Sequence, residues 1–170
     1  MRQLILMRHG KAEPASGGGD HARPLSPRGR AEAAEAGRRL AAVATPALAL
    51  VSDSARTRET LDALAPAFAP ALPRRSTRAV YAASAETILG EVRSAPDDAA
   101  AVLVVGHNPG IGDLARRLAG TGDAKALAAL AERFPTSCFA VIDLDADRWT
   151  DVGAPGRLRF LLPADERSGE

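Results

Sequence analysis

The chain of 170 residues fits one domain of ordinary size, and its 22 Lys and Arg residues against 21 Asp and Glu residues leave a formal net charge of +1. This balance supplies no basic field of the kind that nucleic-acid binding needs, and the single cysteine excludes an intrachain disulfide and a cysteine-based zinc cluster. No apolar run approaches the ~20 residues of a membrane span, and the first is too short for a secretory signal, so we expect a cytoplasmic protein without a membrane partner.

Short apolar runs predict buried strands, and amphipathic stretches between most of them predict helices. The predicted strands cover residues 3–7, 48–51, 76–81, 100–105, 138–144 and 158–162. The predicted helices cover residues 27–43, 55–68, 85–92, 110–118 and 125–133. This alternation predicts an α/β fold: a single three-layer domain whose central sheet of about six strands is mainly parallel and carries helices on both faces. The orientation of the last two strands stays open.

Two segments lack any periodic pattern, residues 13–24 and the tail from residue 163 onward. The first contains Gly17, Gly18 and Gly19, and we expect it to form a mobile lip beside His9. We predict one domain over residues 1–162 and a flexible tail over residues 163–170.

Two histidines follow predicted strands directly. His9 comes after the first strand within Arg8-His9-Gly10, and His107 comes after the strand at residues 100–105. Because the carboxyl ends of parallel strands meet at one edge of a sheet, we expect both histidines in one crevice. A neutral imidazole beside bound phosphate can attack phosphorus and carry it covalently, although a single histidine at a strand end is more typical of a structural residue or a metal ligand.

Arg56 and Arg58 lie in or near the first turn of the helix after the second predicted strand. The helix dipole disfavours cations there, which favours a bound anion, and a phosphoryl group suits the forked donors of arginine. Arg8 can reach the same crevice. Two solvated arginines on a surface helix remain the alternative for this segment alone. With only His21 and scattered carboxylates left, no metal-ligand spacing is recognisable, so we predict neither a metal nor a cofactor.

These motifs resemble those of the histidine phosphatase superfamily, also called phosphoglycerate-mutase-like. Its Arg-His-Gly motif matches Arg8-His9-Gly10, its second histidine matches His107, and its second arginine, in a Ser-x-x-x-Arg-Thr pattern starting at Ser52, matches Arg56. The short chain and the run Arg23-Pro24-Leu25-Ser26 look like the small SixA-type phosphohistidine phosphatases. The resemblance covers roughly residues 2–160 in several ordered motifs.

The resemblance implies a metal-independent phosphatase in which His9 is phosphorylated and then hydrolysed. It implies a phosphate pocket of Arg8, Arg56 and His107 around His9, and we add Gly10, Ser52 and Asn108 as residues that contact the substrate. Asn108 and Pro109 are also typical of a helix cap and first turn. Because His9 must be neutral to attack and His107 cationic to stabilise charge, we expect activity to fall at both pH extremes.

One position departs from the family pattern. Many relatives that act on phosphate esters carry a glutamate general acid after the third strand, where this chain offers only Glu86, which is more typical of a helix N-terminus. A protonated phosphohistidine leaves as neutral imidazole and needs less help than an alkoxide. With no large insertion between residues 82 and 98 to enclose a metabolite, we expect an open pocket and a phosphohistidine-bearing protein as substrate.

Three alternatives remain open: a phosphatase of small phosphate esters or anhydrides, a non-catalytic module that binds phosphorylated ligands, and a mutase. A binding module does not need a nucleophile, so the presence of both His9 and His107 argues against it. A mutase needs a second substrate pocket and a shield against water, which makes it the weaker alternative. The aromatic side chains are too scattered to form a stacking platform for bases, so we interpret Tyr81, Trp149 and the phenylalanines as packing residues. We expect a monomer.

Overall fold

Seven strands form one sheet in residues 1–162, the part of the chain that the computed structural model describes; the predicted tail at residues 163–170 lies outside it. The strands are β1 (Arg2–Arg8), β2 (Leu48–Ser52), β3 (Arg74–Thr77), β4 (Ala101–Gly106), β5 (Ala119–Gly122), β6 (Phe139–Leu144) and β7 (Gly156–Leu162). Their order is β3-β2-β4-β1-β6-β7-β5. Only β6 among these strands is antiparallel to its neighbours, so the predicted mainly parallel sheet is confirmed.

The sheet has one strand more than the six predicted. The additional strand, β5, has the sequence Ala-Gly-Thr-Gly and is largely exposed at the sheet edge, so it offers no apolar alternation. The third strand also lies earlier than predicted, because Arg78–Val80 forms a 3-10 turn in which the Thr77 hydroxyl accepts from the Ala79 amide at 3.1 Å.

Five α-helices connect the strands within residues 1–162. They are α1 (Pro27–Ala41), α2 (Ala55–Leu64), α3 (Ala85–Arg93), α4 (Gly110–Leu118) and α5 (Ala124–Glu132). Four of them begin after a side chain that accepts from a first-turn amide, namely Ser26, Ser54, Ser84 and Asp123. Helix α2 ends earlier than predicted because Pro66, in the following 3-10 turn, lacks an amide hydrogen. No helix in this part of the chain has the length and apolar character needed to span a lipid bilayer.

Alternate residues of the central strands pack into two separate cores, one on each face of the sheet. Leu4 and Leu6 of β1 face the core that contains Ile88 of α3 and Leu114 of α4. Ile5 and Met7 face the other core, which is covered by residues of α1 and α2 such as Leu40 and Leu61. The predicted three layers, with helices on both faces, are therefore present. Because the central strands are buried on both sides, their carboxyl ends are held in fixed positions.

The packing of α1 against α2 depends on a glycine. A Cβ atom added at Gly37 would lie 2.8 Å from the Cα, the Cβ and the carbonyl oxygen of Leu64, so the two helix backbones must separate to admit it. At Gly90 of α3, by contrast, an added Cβ meets no atom within 4 Å.

We expect Gly37→Ala to lower the free energy of unfolding by about 1–3 kcal/mol, because the overpacking outweighs the gain in helix propensity. Gly90→Ala is the matched control and should raise it by up to about 1 kcal/mol, since it adds propensity without a clash. Unfolding of both variants by denaturant measures the change in the free energy of unfolding relative to wild type and shows whether it is negative or positive. Equal effects of the two substitutions would show that α1 and α2 are not in close contact.

Candidate active site

Three neighbouring strands of the sheet bring the principal predicted residues together. His9 follows β1, His107 follows β4, and Arg56 is the second residue of α2, which begins shortly after β2. Because β4 lies between β1 and β2 and runs parallel to both, the three side chains meet at the carboxyl edge of the sheet. The centroids of the two imidazole rings are 5.2 Å apart.

His9 is nearly buried and has a defined tautomer. Its Nδ1 lies 2.7 Å from the carbonyl oxygen of Gly10, which can only accept, so Nδ1 carries the proton of the neutral ring. The lone pair is therefore on Nε2, where Arg56 Nε donates to it at 3.3 Å. Burial, with smaller contributions from the neighbouring positive charges, lowers the pKa of His9 to about 3 although the Gly10 carbonyl acts in the opposite direction. His9 is neutral at physiological pH.

Gly10 holds the nucleophile candidate in place. Its amide donates to the Thr60 hydroxyl at 2.9 Å, and that hydroxyl donates to the Arg56 carbonyl at 2.7 Å. A Cβ at Gly10 would lie 2.9 Å from the Gly29 carbonyl oxygen, so a larger residue does not fit there. The amide of Gly10 thus has a partner within the protein, and this hydrogen bond positions the residue beside His9.

His107 is also buried and neutral, in the opposite tautomer. Arg56 Nη2 lies 3.2 Å from His107 Nδ1, and because a guanidinium can only donate, Nδ1 is the acceptor. Nε2 then carries the proton and donates to the Ser52 hydroxyl at 2.8 Å. Burial, followed by the charge of Arg56, lowers the pKa of His107 to about 4. In the free site His107 is therefore not the cation that we expected from the sequence, and Ser52 orients it from behind.

Arg56 connects the two histidines and Asp20 through hydrogen bonds. Its side chain is buried and donates to both histidines, to the Asp20 carbonyl oxygen at 2.8 Å and to the Asp20 carboxylate at 3.1 Å. Arg58 points elsewhere, because it is exposed and donates to the Asp53 carbonyl oxygen at 3.0 Å. The structure thus places Arg56, which the resemblance assigned to the second-arginine position, inside the site and Arg58 on the surface.

Arg8 and Asn108 border the site on the side of the loop at Phe134. Arg8 Nη1 donates to the Phe134 carbonyl oxygen at 3.4 Å, while its buried Nε has no hydrogen-bond partner in the structure. Burial lowers the pKa of Arg8, and an unpaired buried donor is costly, so an anion accepting from Nε would relieve that cost. Asn108 donates to the same carbonyl at 2.6 Å and accepts from the Gly112 amide of α4 at 3.2 Å. Asn108 precedes the N-cap residue Pro109, and its side chain thus connects the start of α4 to the Phe134 loop.

The lip, residues 13–24, was expected beside His9, but none of its residues was predicted to contact Arg56. A 3-10 turn at Asp20–Ala22 places the Asp20 carboxylate against Arg56, and Tyr81 donates its hydroxyl proton to that carboxylate at 2.6 Å. The ring of Tyr81, which we had interpreted as a packing residue, lies edge-on to His107 at 5.4 Å. His21 contacts Asp53 at 2.7 Å, so it is not a free loop residue. The lip has no periodicity, and only the structure reveals these contacts.

Glu86 lies outside this cluster. It is exposed in the first turn of α3, where Arg117 Nη1 contacts its carboxylate at 2.6 Å and Arg93 lies 3.7 Å away. The hydrogen bond from Arg117 lowers the pKa of Glu86, so its carboxylate is ionised. Its position and charge are those of a helix N-terminal carboxylate.

The described residues offer no obvious metal centre. No three His, Cys, Asp or Glu side chains within residues 1–162 are grouped in a way that could hold a metal ion. The positive charges of Arg8 and Arg56 and the unprotonated Nε2 of His9 instead suit a phosphoryl group, which needs donors for its oxygens and a nucleophile for its phosphorus.

This fold and site define an α/β protein in which a buried arginine donates to two histidines at the carboxyl edge of the sheet. The sequence profile of the histidine phosphatase superfamily (branch 1) matches residues 4–77, which include His9 and Arg56. A protein of Mycobacterium tuberculosis is 40% identical over 163 residues, covering 92% of this chain and 99% of that protein.

Two solved structures resemble the chain over nearly its whole length. One, from Nakamurella multipartitia, is assigned as phosphohistidine phosphatase SixA and has a TM-score of 0.80 at 32% identity, covering 96% of each chain. The other, from Agrobacterium tumefaciens and with the same assignment, has a TM-score of 0.78 at 32% identity and covers 95% of this chain and 97% of that one. The chain belongs to the histidine phosphatase superfamily, and within it to the SixA type.

The buried neutral histidines predict a specific pH dependence of stability. In the unfolded chain a histidine titrates near 6.5, whereas in the folded protein the pKa values of His9 and His107 are about 3 and about 4. The unfolded state therefore binds more protons between these values, and the free energy of unfolding should fall as the pH drops from about 6.5 towards 4.

Unfolding by urea at several pH values measures this decline, and His107→Gln should make it shallower because it removes one of the two groups. His21→Gln is the matched control: His21 is half-buried beside Asp53, outside the buried imidazole pair, and its replacement should leave most of the decline in place. A decline that is the same in wild type and in His107→Gln would contradict the neutral assignment of His107.

Proposed function

We propose that this protein hydrolyses a phosphoryl group through a covalent intermediate on His9 Nε2, and that its substrate is phosphohistidine in a partner protein. The observation that carries the proposal is the orientation of His9. With Nδ1 donating to the Gly10 carbonyl, the lone pair of Nε2 lies next to Arg56, where a bound phosphoryl group would sit.

In the proposed reaction Arg56 and Arg8 bind the equatorial oxygens of the phosphoryl group. Nε2 of His9 attacks phosphorus, the bond from phosphorus to the leaving atom breaks, and the leaving group departs with that electron pair. Water then attacks the phosphorus on His9, which releases inorganic phosphate and restores the neutral imidazole. The chemistry asks mainly for positioning and for neutralisation of negative charge. We propose that the two guanidinium groups and His107 provide these without a metal ion.

His107 changes its protonation state in this proposal. In the free site its Nδ1 carries a lone pair that accepts from Arg56, and this lone pair would repel a phosphate oxygen. A bound dianion raises the pKa of a neighbouring imidazole, so we propose that His107 gains a proton when phosphate binds and then donates to an equatorial oxygen. Ser52 keeps the ring in place during this change because it contacts the other nitrogen.

Two observations support phosphohistidine as the substrate. Glu86 contacts Arg117 and is ionised, so it does not supply the general acid that an ester leaving group needs. The two similar solved structures, each 32% identical, are both assigned as phosphohistidine phosphatases. The alternatives are hydrolysis of small phosphate esters and non-catalytic binding of phosphorylated ligands, and the following experiment separates them.

We expect His9→Ala to abolish phosphate release while the protein stays folded, because the nucleophile is lost. Arg56→Ala should lower kcat/KM by about 100- to 1000-fold, since a charge-assisted donor to a transition-state oxygen contributes about 3–4 kcal/mol. Arg58→Ala is the matched control, two residues further along the same helix, and should stay within about twofold of wild type because its side chain lies outside the site.

The assay uses protein that a chelator has freed of metal ions. Its two substrates are an aryl phosphate and a histidine-containing protein phosphorylated with phosphoramidate. Preferred turnover of the phosphoprotein supports the proposed substrate, and preferred turnover of the aryl phosphate supports a small ester. Binding of inorganic phosphate without any turnover would identify a binding module. Full activity of His9→Ala would disprove the mechanism.

The proposed protonation of His107 predicts proton uptake on anion binding. At pH 7 the binding of inorganic phosphate should take up as much as one proton more in wild type than in His107→Gln, because His107 is neutral when free and its pKa is about 4. Protons that phosphate itself releases on binding are common to both proteins and cancel in this difference. Calorimetric titration in buffers of different ionisation enthalpy measures the number of protons. His107→Gln should bind phosphate more weakly and without this additional uptake; equal uptake in the two proteins would assign the proton to another group.

A further inference from the structure

Asp20 is a negatively charged group at a site that we propose binds phosphate. Its carboxylate accepts from Arg56 Nη2 at 3.1 Å and from the Tyr81 hydroxyl at 2.6 Å, and its other oxygen accepts from Arg23 Nη1 at 3.2 Å. About half of the Asp20 side chain is exposed, whereas Arg56 and His9 beneath it are buried. The carboxylate is therefore the solvent-exposed member of its ion pair with Arg56, and we take its side of the site as the entrance for a substrate.

A structural role alone does not explain a charge in this position. An asparagine could accept from both Tyr81 and Arg56 through its single carbonyl oxygen, and it would not repel a phosphate dianion. The hydrogen bond from Tyr81, followed by those from Arg23 and Arg56, holds the pKa of Asp20 well below its usual range. Asp20 is thus ionised at physiological pH and cannot donate a proton to the oxygen of a departing ester.

An ionised carboxylate does suit one kind of leaving group. When phosphoimidazole is protonated on its free nitrogen, the ring is cationic and offers an N–H donor, which a carboxylate binds in a charge-assisted hydrogen bond. An ester leaving group gains negative charge as it departs, so the same carboxylate repels it. The charge of Asp20 therefore discriminates between phosphorus–nitrogen and phosphorus–oxygen bonds.

We propose that Asp20 determines specificity by accepting the N–H of the substrate's phosphoimidazolium ring at the mouth of the site. This inference rests on the proposed function. In the step it affects, Nε2 of His9 bonds to phosphorus while the bond from phosphorus to the substrate nitrogen breaks. The electron pair stays on that nitrogen, and the leaving group is neutral imidazole that keeps the proton facing Asp20.

Asp20→Asn tests the charge while preserving an acceptor for Tyr81 and Arg56. Phosphoimidazole and an aryl phosphate serve as substrates, because both are small and neither depends on a protein surface. We expect the ratio of kcat/KM for phosphoimidazole to kcat/KM for the aryl phosphate to fall by about 10- to 100-fold, the range of a charge-assisted hydrogen bond. Asp20→Ala should show the same difference between the substrates.

Two control variants accompany Asp20→Asn. Asp53→Asn removes the same charge from a nearby carboxylate that contacts His21 rather than Arg56, and it should leave the ratio of the two kcat/KM values unchanged. Tyr81→Phe removes a hydrogen bond to Asp20 but keeps its charge, so it should retain the preference for phosphoimidazole.

An equal loss with both substrates in Asp20→Asn would mean that Asp20 only shapes the site. An equal gain would mean that it screens Arg56 from phosphate, and no change would mean that it does not contact the leaving group; each result overturns the inference. Failure of the proposed function gives a different pattern, in which wild type does not release phosphate from phosphoimidazole or His9→Ala retains activity.

Discussion

The burial of the Arg56 guanidinium is the interaction on which the rest of the site depends. A buried cation is costly unless acceptors surround it, and here the acceptors are two neutral imidazoles and the carbonyl and carboxylate oxygens of Asp20. Because a guanidinium only donates, each histidine must turn a lone pair towards it. Arg56 therefore determines which nitrogen of each ring faces the site, and the second nitrogens are held by Gly10 and Ser52.

The start of α2 places this guanidinium. Ser54 caps the helix directly after β2, and Thr57 donates from its hydroxyl to the Ser52 carbonyl oxygen at 2.8 Å, which ties the first turn to the strand end. One turn later Thr60 links the Arg56 carbonyl to the Gly10 amide. The nucleophile candidate after β1 and the arginine on α2 are thus connected through hydroxyl groups as well as directly, so small polar residues help to fix the geometry that the proposed reaction needs.

The strands and helices could be predicted because buried parallel strands have unbroken apolar runs. The predicted strand ends then indicated where His9, His107 and Arg56 would meet. The protonation states of the histidines could not be predicted from the sequence, because they depend on burial and on a guanidinium group from another element. Asp20 was missed for a related reason: its segment has no period, and its role depends on Tyr81, far along the chain. Strand β5 was missed because two glycines at an exposed edge carry no apolar signal.

Burial is the main reason why the histidines of the free site are neutral, and the charge of the site adds to it. With Arg8 and Arg56 already positive, two imidazolium ions would place four like charges close together, so the positive neighbours lower both histidine pKa values further. In the proposed reaction a bound phosphoryl dianion would reverse this balance, because it offsets the arginines and can support a further positive charge on His107. His9 would face the same field but would use its lone pair for bonding to phosphorus. The two imidazoles would thus begin in the same neutral state and be made different by the bound anion: His9 would act as the nucleophile, and His107 would become a cation that the free site disfavours.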